Sequence, residues 1–187
     1  MKLLHIDSSI LGDASVSRQL TQAIVEQLKS KHANLEVEYL DVDQQQIPHL
    51  SGPILMGQNP EQSKLGEQLV QQYLDADIVV VGAAMYNFSI PSTLKAWIDR
   101  ICVAGKTFHY TEKGAEGLAG GKKVYIASSR GGVYGENSPA DFQEAYLKTV
   151  FGFTGVTEIE VIRSEGVAMA EHKDQAIADA MAKIQAL

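Results

Sequence analysis

Residues 78–81, Ile-Val-Val-Val, form a short β-branched apolar run, as expected of a strand buried on both faces of a parallel sheet. The small residues Gly82, Ala83 and Ala84 follow, then a turn of aromatics and an amide, Met85-Tyr86-Asn87-Phe88. Pro91 then opens a helix, a position where its missing N–H costs nothing. Open α/β sheets bind ligands at the carboxyl ends of their strands. A polar and aromatic turn placed there, with free backbone groups, suits a flat heteroaromatic cofactor.

The rest of the chain repeats the strand–helix unit. Residues 2–7 read as a first strand, followed by a loop rich in Ser and Gly and a helix over 16–31, where Leu20, Ile24, Val25 and Leu28 recur at helical spacing. Residues 35–40 alternate apolar with acidic side chains, the pattern of an edge strand with one solvated face. A proline-bearing connection over 43–63 leads to a helix near 61–74 and the central strand, and a further helix runs over 91–103. An irregular stretch, 104–121, precedes a strand at 123–128, a Gly-rich loop, a helix at 139–151, a strand at 157–163 and a terminal helix from Ala170. Strand–helix alternation repeated in this way predicts an α/β fold, a doubly wound five-stranded parallel sheet with helices on both faces. Five strands favour the order 2-1-3-4-5, with a cleft between strands one and three. No linker or low-complexity tract interrupts the pattern, so residues 1–187 are expected to form one domain.

Composition narrows the class. Apolar residues make up 45% and charged residues 21%, ordinary values for a globular protein with a sizeable core. A net charge of −7 argues against a nucleic-acid surface, which needs clustered Lys and Arg. The amino-terminal apolar stretch is too short for a signal peptide and no run approaches a membrane span, so a cytoplasmic enzyme is the expectation. Cys102, the only cysteine, allows no intrachain disulfide and reads as a buried, inert thiol.

In the expected topology the loops after strands one, three and four emerge on one rim. The first, residues 8–17, leads into a helix amino terminus, where free N–H groups and the positive dipole end form an anion site. Ser9, Ser15 and Ser17 add hydroxyls there, and Ser15 also has the identity of a plain helix N-cap. In the second loop, Tyr86 and Phe88 have an alternative reading as core residues, whereas an amide such as Asn87, if buried, needs partners. The third pairs Ser129 and Arg130 with Gly131 and Gly132, which permit close backbone approach to a ligand. Other phosphate-binding designs fail: Gly105-Lys106-Thr107 lacks the glycine of a P-loop where Arg100 stands, and no G-x-G-x-x-G follows the first strand. The five histidines are scattered without metal-ligand spacing.

These residues resemble the bacterial FMN-dependent NADH:quinone oxidoreductase and azoreductase family, within the flavodoxin-like fold. The likeness spans nearly the whole chain and is carried most specifically by Ser15-Val16-Ser17, Met85-Tyr86-Asn87-Phe88, Phe108-His109-Tyr110-Thr111, Ser129-Arg130-Gly131-Gly132 and Phe151-Gly152-Phe153. It implies FMN held by Ser9 and by Ser15, Val16 and Ser17 at the phosphate, by Met85, Tyr86, Asn87 and Phe88 along the isoalloxazine, and by Ser129, Arg130, Gly131 and Gly132 at its pyrimidine end. It further implies a homodimer with a site at each subunit boundary, Tyr110 and Phe153 lining the substrate pocket, NADH as electron donor, and quinones and azo compounds as acceptors. The bound flavin carries the hydride, so no side-chain nucleophile and no metal is required, and Tyr110 has two readings, proton donor to product or packing residue. Residues 133–138 depart from the family pattern, which leaves acceptor preference open. The rival reading is a flavodoxin-like one-electron carrier, against which stand the long excursions at 43–63 and 104–121.

Overall fold

The computed structural model describes residues 1–135 and 137–187. Strand β1 (Lys2–Asp7) is followed by a short 3-10 turn (Gly12–Ala14) and helix α1 (Val16–Lys31); β2 (Glu36–Asp41) comes next. The stretch between β2 and helix α4 (Pro60–Asp75) is not plain loop but carries two short helices, α2 (Val42–Gln45) and α3 (Gly52–Leu55). Strand β3 (Ile78–Ala84) and helix α5 (Ser92–Ile101) follow. The expected irregular stretch 104–121 instead forms an antiparallel hairpin, β4 (Phe108–Thr111) with β5 (Gly114–Gly117). The chain closes with β6 (Lys123–Arg130), α6 (Glu144–Phe153), β7 (Glu158–Glu165) and α7 (Ala170–Gln185).

The main sheet has five strands in the order β2-β1-β3-β6-β7, all parallel. Leaving the hairpin aside, that is the 2-1-3-4-5 order expected from the sequence, with the alternating strand at residues 36–41 on the edge. Every residue of β3 is buried, as its apolar run requires. Because side chains alternate across a strand, Val79, Val81 and Ala83 pack with Leu69, Tyr73, Trp97 and Phe151 of α4, α5 and α6. Ile78 and Val80 point the other way, into Leu20, Ile24 and Leu28 of α1 and Ile184 of α7. Each large apolar side chain so buried contributes about 1.5–3 kcal/mol. No helix among the described residues is long and apolar enough to cross a membrane.

Three boundaries differ from the sequence reading, each for a local reason. Pro91 is the N-cap of α5 rather than its first helical residue, with an extended ψ of 142°. Helix α6 begins at Glu144 instead of near Pro139, because the Asp141 side chain accepts from the Gln143 and Glu144 amides and sets the start there. Strand β6 runs on through Ser129 and Arg130, which pair with Ser164 and Glu165 of β7.

The hairpin is fastened at the amino-terminal end of the sheet. A Cβ on Gly117 would lie 2.0 Å from the Gly155 nitrogen, so the two backbones touch in a way only glycine allows. The Ala119 amide donates to the Thr154 carbonyl, and Tyr73 and Thr154 hydroxyls meet at 2.6 Å beneath it.

Candidate functional site

At the carboxyl ends of β1, β3 and β6 a cavity of about 270 Å³ opens. Of the residues singled out from sequence, Ser9, Ser15, Val16, Met85, Tyr86, Ser129 and Gly131 line it together. Three distant segments of chain therefore do converge on one rim. Larger hollows lie elsewhere, but none of them is lined by residues of all three rim loops.

Ser15 does two things at once. Its Oγ accepts from the Arg18 amide as the N-cap of α1 and lies 3.0 Å from Ser17 Oγ, so the cap and the candidate anion site are the same hydroxyl pair. The Val16 and Ser17 amides donate to no group among the described residues. They are the orphan donors every helix start leaves; Val16 lines the cavity, while Ser17 is buried and does not. Arg18 holds that loop in place: its guanidinium donates to the Ser9 carbonyl at 2.8 and 3.2 Å and pairs with both oxygens of Asp41 at 2.6 and 3.0 Å. Burial tends to raise the Asp41 carboxyl, but Arg18 and the Gln44 and Asp43 amides hold it below the usual range.

Tyr86 joins the first loop to the second. Its hydroxyl lies 2.9 Å from Ser9 Oγ and accepts from the Ile10 amide at 3.3 Å. Residues 86–89 close a tight turn with reciprocal backbone bonds, Tyr86 N to Ser89 O at 2.9 Å and Ser89 N to Tyr86 O at 3.1 Å. Both central residues take positive φ, 50° at Asn87 and 70° at Phe88. Asn87 is exposed and has no hydrogen-bond partner among the described residues, so the condition that its amide be buried is not met. Asn is explained by its tolerance of the left-handed conformation; Phe is not, and such a residue stores about 1–2 kcal/mol of strain. Phe88 is also half exposed, a combination that packing alone does not favour.

The third loop differs most from expectation. The Arg130 side chain is fully buried and turned away from the rim. Its Nε donates to Gln143 at 3.0 Å, and its NH groups meet Asp141 at 2.7 Å, Glu144 at 3.0 Å and Glu165 at 3.2 Å. Only its backbone is left for a ligand. Gln143 in turn donates to the Ala83 carbonyl at 2.8 Å, tying this network to the end of β3. The carbonyls of Arg130, Gly131 and Gly132 accept from the amides of Val167, Ala168 and Gly166, which draws the start of α7 up to the rim. That brings Val167, Ala168 and Lys173 to the cavity, where sequence reasoning had not placed them. The signal was Gly166, whose φ of 74° permits the reversal after β7. Of the variable loop 133–138, Glu136 lies outside the described residues.

Tyr110 and Phe153 do not line this cavity. They sit with Phe108 in an aromatic cluster, ring centroids 4.4 Å (Phe108–Phe153) and 5.5 Å (Phe108–Tyr110) apart, at the opposite end of the sheet. Tyr110 is 75% exposed there. Cys102 is half-buried and its thiol is pushed up to about 11, chiefly by burial, in keeping with an inert role.

A family model described as a flavodoxin-like fold, Flavodoxin_2, matches residues 1–187. The FMN-dependent NADH:quinone oxidoreductase of Stenotrophomonas maltophilia is 56% identical over 98% of this chain and 94% of that protein. The protein of the same name from Xanthomonas oryzae pv. oryzae is 54% identical over 100% and 96%. Among solved structures, an azoreductase from Bacillus anthracis superposes with a TM-score of 0.90 at 28% identity, covering 100% of this chain and 97% of that one. An FMN-dependent NADH-azoreductase of the same species in complex with FMN gives 0.86 at 26% identity, covering 99% and 98%. The chain thus belongs to the Flavodoxin_2 family, among the FMN-dependent NADH:quinone oxidoreductases.

Proposed function

We propose that this chain is an FMN-dependent oxidoreductase that takes electrons from NADH, reduces quinones to hydroquinones and cleaves aromatic azo bonds to amines. The observation that carries the reading is the start of α1, where Ser9, Ser15 and Val16 line the cavity, Ser17 Oγ meets Ser15 Oγ, and the Val16 and Ser17 amides are unclaimed. It has the donor set a phosphate monoester requires, and it opens onto a cleft edged by Met85 and Tyr86 on one side and Ser129 and Gly131 on the other. FMN fits those residues. When bound, it supplies the hydride chemistry itself.

The chain's own residues bind, orient and shield. Ser15, Ser17 and the Val16 amide hold the phosphate, and Arg18 keeps the Ser9 carbonyl, and hence the loop, in register. The rigid turn at Asn87 and Phe88 sets a backbone edge beside the ring system. Gly131 and Gly132 bring main chain close to the pyrimidine end, where fixed dipoles stabilise developing negative charge. Arg130 contributes by locking that loop from behind.

The reading extends to a doubly wound arrangement and to a homodimer. Two separate apolar clusters, one with α1 and α7 and one with α4, α5 and α6, support helices on both faces. Tyr110 and Phe153 lie too far from the cavity of their own protomer to wall it. Their match to substrate-pocket positions is satisfied if each protomer lends them to its neighbour. The exposed apolar side chains Leu55, Met56, Phe88, Tyr110 and Phe142 are consistent with a covered face.

The test is anaerobic titration of the FMN-loaded protein with NADH, followed by benzoquinone and then an azo dye. One equivalent of NADH per flavin bleaches the yellow colour, and each acceptor restores it. Slow or absent bleaching would contradict the proposal and favour a one-electron carrier.

A further inference from the structure

A hollow of about 590 Å³ lies away from the rim, among α3, α4, the end of α5 and the hairpin. Its walls are largely apolar, with Ile54, Leu55, Val70, Val103 and Phe108 prominent. Arg100, in the last turn of α5, also lines it and is only 4% exposed. The guanidinium is held by neutral oxygens alone: NH1 donates to the Gln62 carbonyl at 3.4 Å and NH2 to the Gln62 side-chain oxygen. Nε is buried with no partner. Among the described residues Arg100 forms no ion pair, and burial holds its pKa below the usual value with no carboxylate to offset it.

That arrangement is unusual for a guanidinium. Buried charges are ordinarily paired, and an unpaired one costs several kcal/mol. The other buried arginine among the described residues obeys the rule: Arg130 has three carboxylates in contact. The charged neighbours of the hollow do not supply the missing partner: Asp99 is held by Lys95 at 2.5 Å, Glu67 is exposed, and Lys106 adds a second cation. A planar guanidinium is matched by a carboxylate in fork geometry, and the apolar walls match a hydrocarbon or aromatic body.

We infer that this hollow is a binding site for a small organic monoanion, an aromatic or short aliphatic carboxylate, with its carboxylate on Arg100 and its body against Val70 and Phe108. The hollow shares Leu55 and Tyr110 with the face given above to the homodimer, so the site belongs to the assembled protein; it does not depend on the electron-transfer reading.

Calorimetric titration of the FMN-loaded protein with 2-naphthoate, and with the uncharged 2-naphthamide, tests it. The carboxylate binds at least tenfold more tightly than the amide, and Arg100→Gln abolishes the difference while the flavin absorbance of the sample is unchanged. Equal affinities, no naphthoate binding at millimolar concentration, or a preference that survives Arg100→Gln would overturn the site. Should Arg100→Gln fail to fold, Lys106→Glu decides, because Lys106 is exposed and lines the hollow. A fivefold or greater loss of naphthoate affinity in that variant supports the site, and unchanged affinity refutes it. Failure of the flavin reading would show separately, as a colourless protein or one that NADH does not bleach.

Discussion

The loop before α1 and the loop after β6 face the same cavity but are held by different physics. The first is pinned at its edges, by Arg18 on the Ser9 carbonyl and by the Tyr86 hydroxyl, and keeps two amides unclaimed. The second is anchored from behind by buried charge, Arg130 and Arg163 against Asp141, Glu144 and Glu165. Pinning at the edges, although Arg18 is itself paired with Asp41, leaves the amides at the start of α1 available to a ligand. Charged anchoring leaves nothing over, but it makes the loop's position depend on ionisation. A cofactor with a phosphate at one end and a heteroaromatic ring at the other fits that division, since the phosphate needs free donors and the ring needs a fixed wall.

The largest effect is expected on the charged side. Arg130→Met leaves three carboxylates, one of them 1% exposed, with only Arg163 among them. Denaturant unfolding should show a loss of about 3–5 kcal/mol; a loss below about 1 kcal/mol would mean the network is dispensable. Ser15→Ala acts on the other loop. It removes a cap worth about 1 kcal/mol and one phosphate donor, so FMN affinity should fall by more than stability does. An FMN dissociation constant equal to that of the wild type would break the comparison.

Acid should act on the charged loop as well. Burial pushes the Glu144 carboxyl up, yet Arg163, Ser128 and Arg130 together hold it below its ordinary value, and Asp141 is likewise lowered against burial by Arg130 and the Glu144 and Gln143 amides. A carboxyl lowered in the folded state stabilises above its unfolded pKa, about 3.9–4.3, and that stability is lost as pH falls through the folded value. The melting temperature should therefore be flat from pH 7 to 5 and drop below about pH 4. Arg130→Met should flatten that drop. The smallest effect belongs to the strained turn: Phe88→Gly removes the φ penalty at 70° and should raise stability by about 1 kcal/mol or less while weakening FMN binding. If it destabilises, the turn is not strained.

How far these features were legible in the sequence follows the range of the interactions. The β-branched run at 78–81 and the alternation at 35–40 announced a buried central strand and a solvated edge strand, because burial pattern is a local property. Ser15 was legible as a helix cap, since a cap is set by the few residues around it, and the same residue lines the rim cavity. The burial of the Arg130 side chain was not legible, because its partners, Asp141, Glu144 and Glu165, lie far from it in sequence and nothing near it marks a buried arginine. The exposure and left-handed φ of Asn87 were not legible, because they follow from how the 86–89 turn closes. The hairpin escaped because it is held by a glycine pair, Gly117 and Gly155, that is 38 positions apart and visible only once the chain has folded. Tyr110 and Phe153 were identified as pocket positions, but the topology places them at the far end of the sheet from the rim.

The central claim is that a phosphate is gripped at the start of α1, and comparison of FMN with riboflavin tests it most directly. In calorimetric titration of the flavin-free protein, FMN should bind with one site per chain. Riboflavin, which lacks the phosphate, should bind at least a hundredfold more weakly, about 2.7 kcal/mol. Equal affinity for the two compounds, or no heat with FMN, would contradict the account.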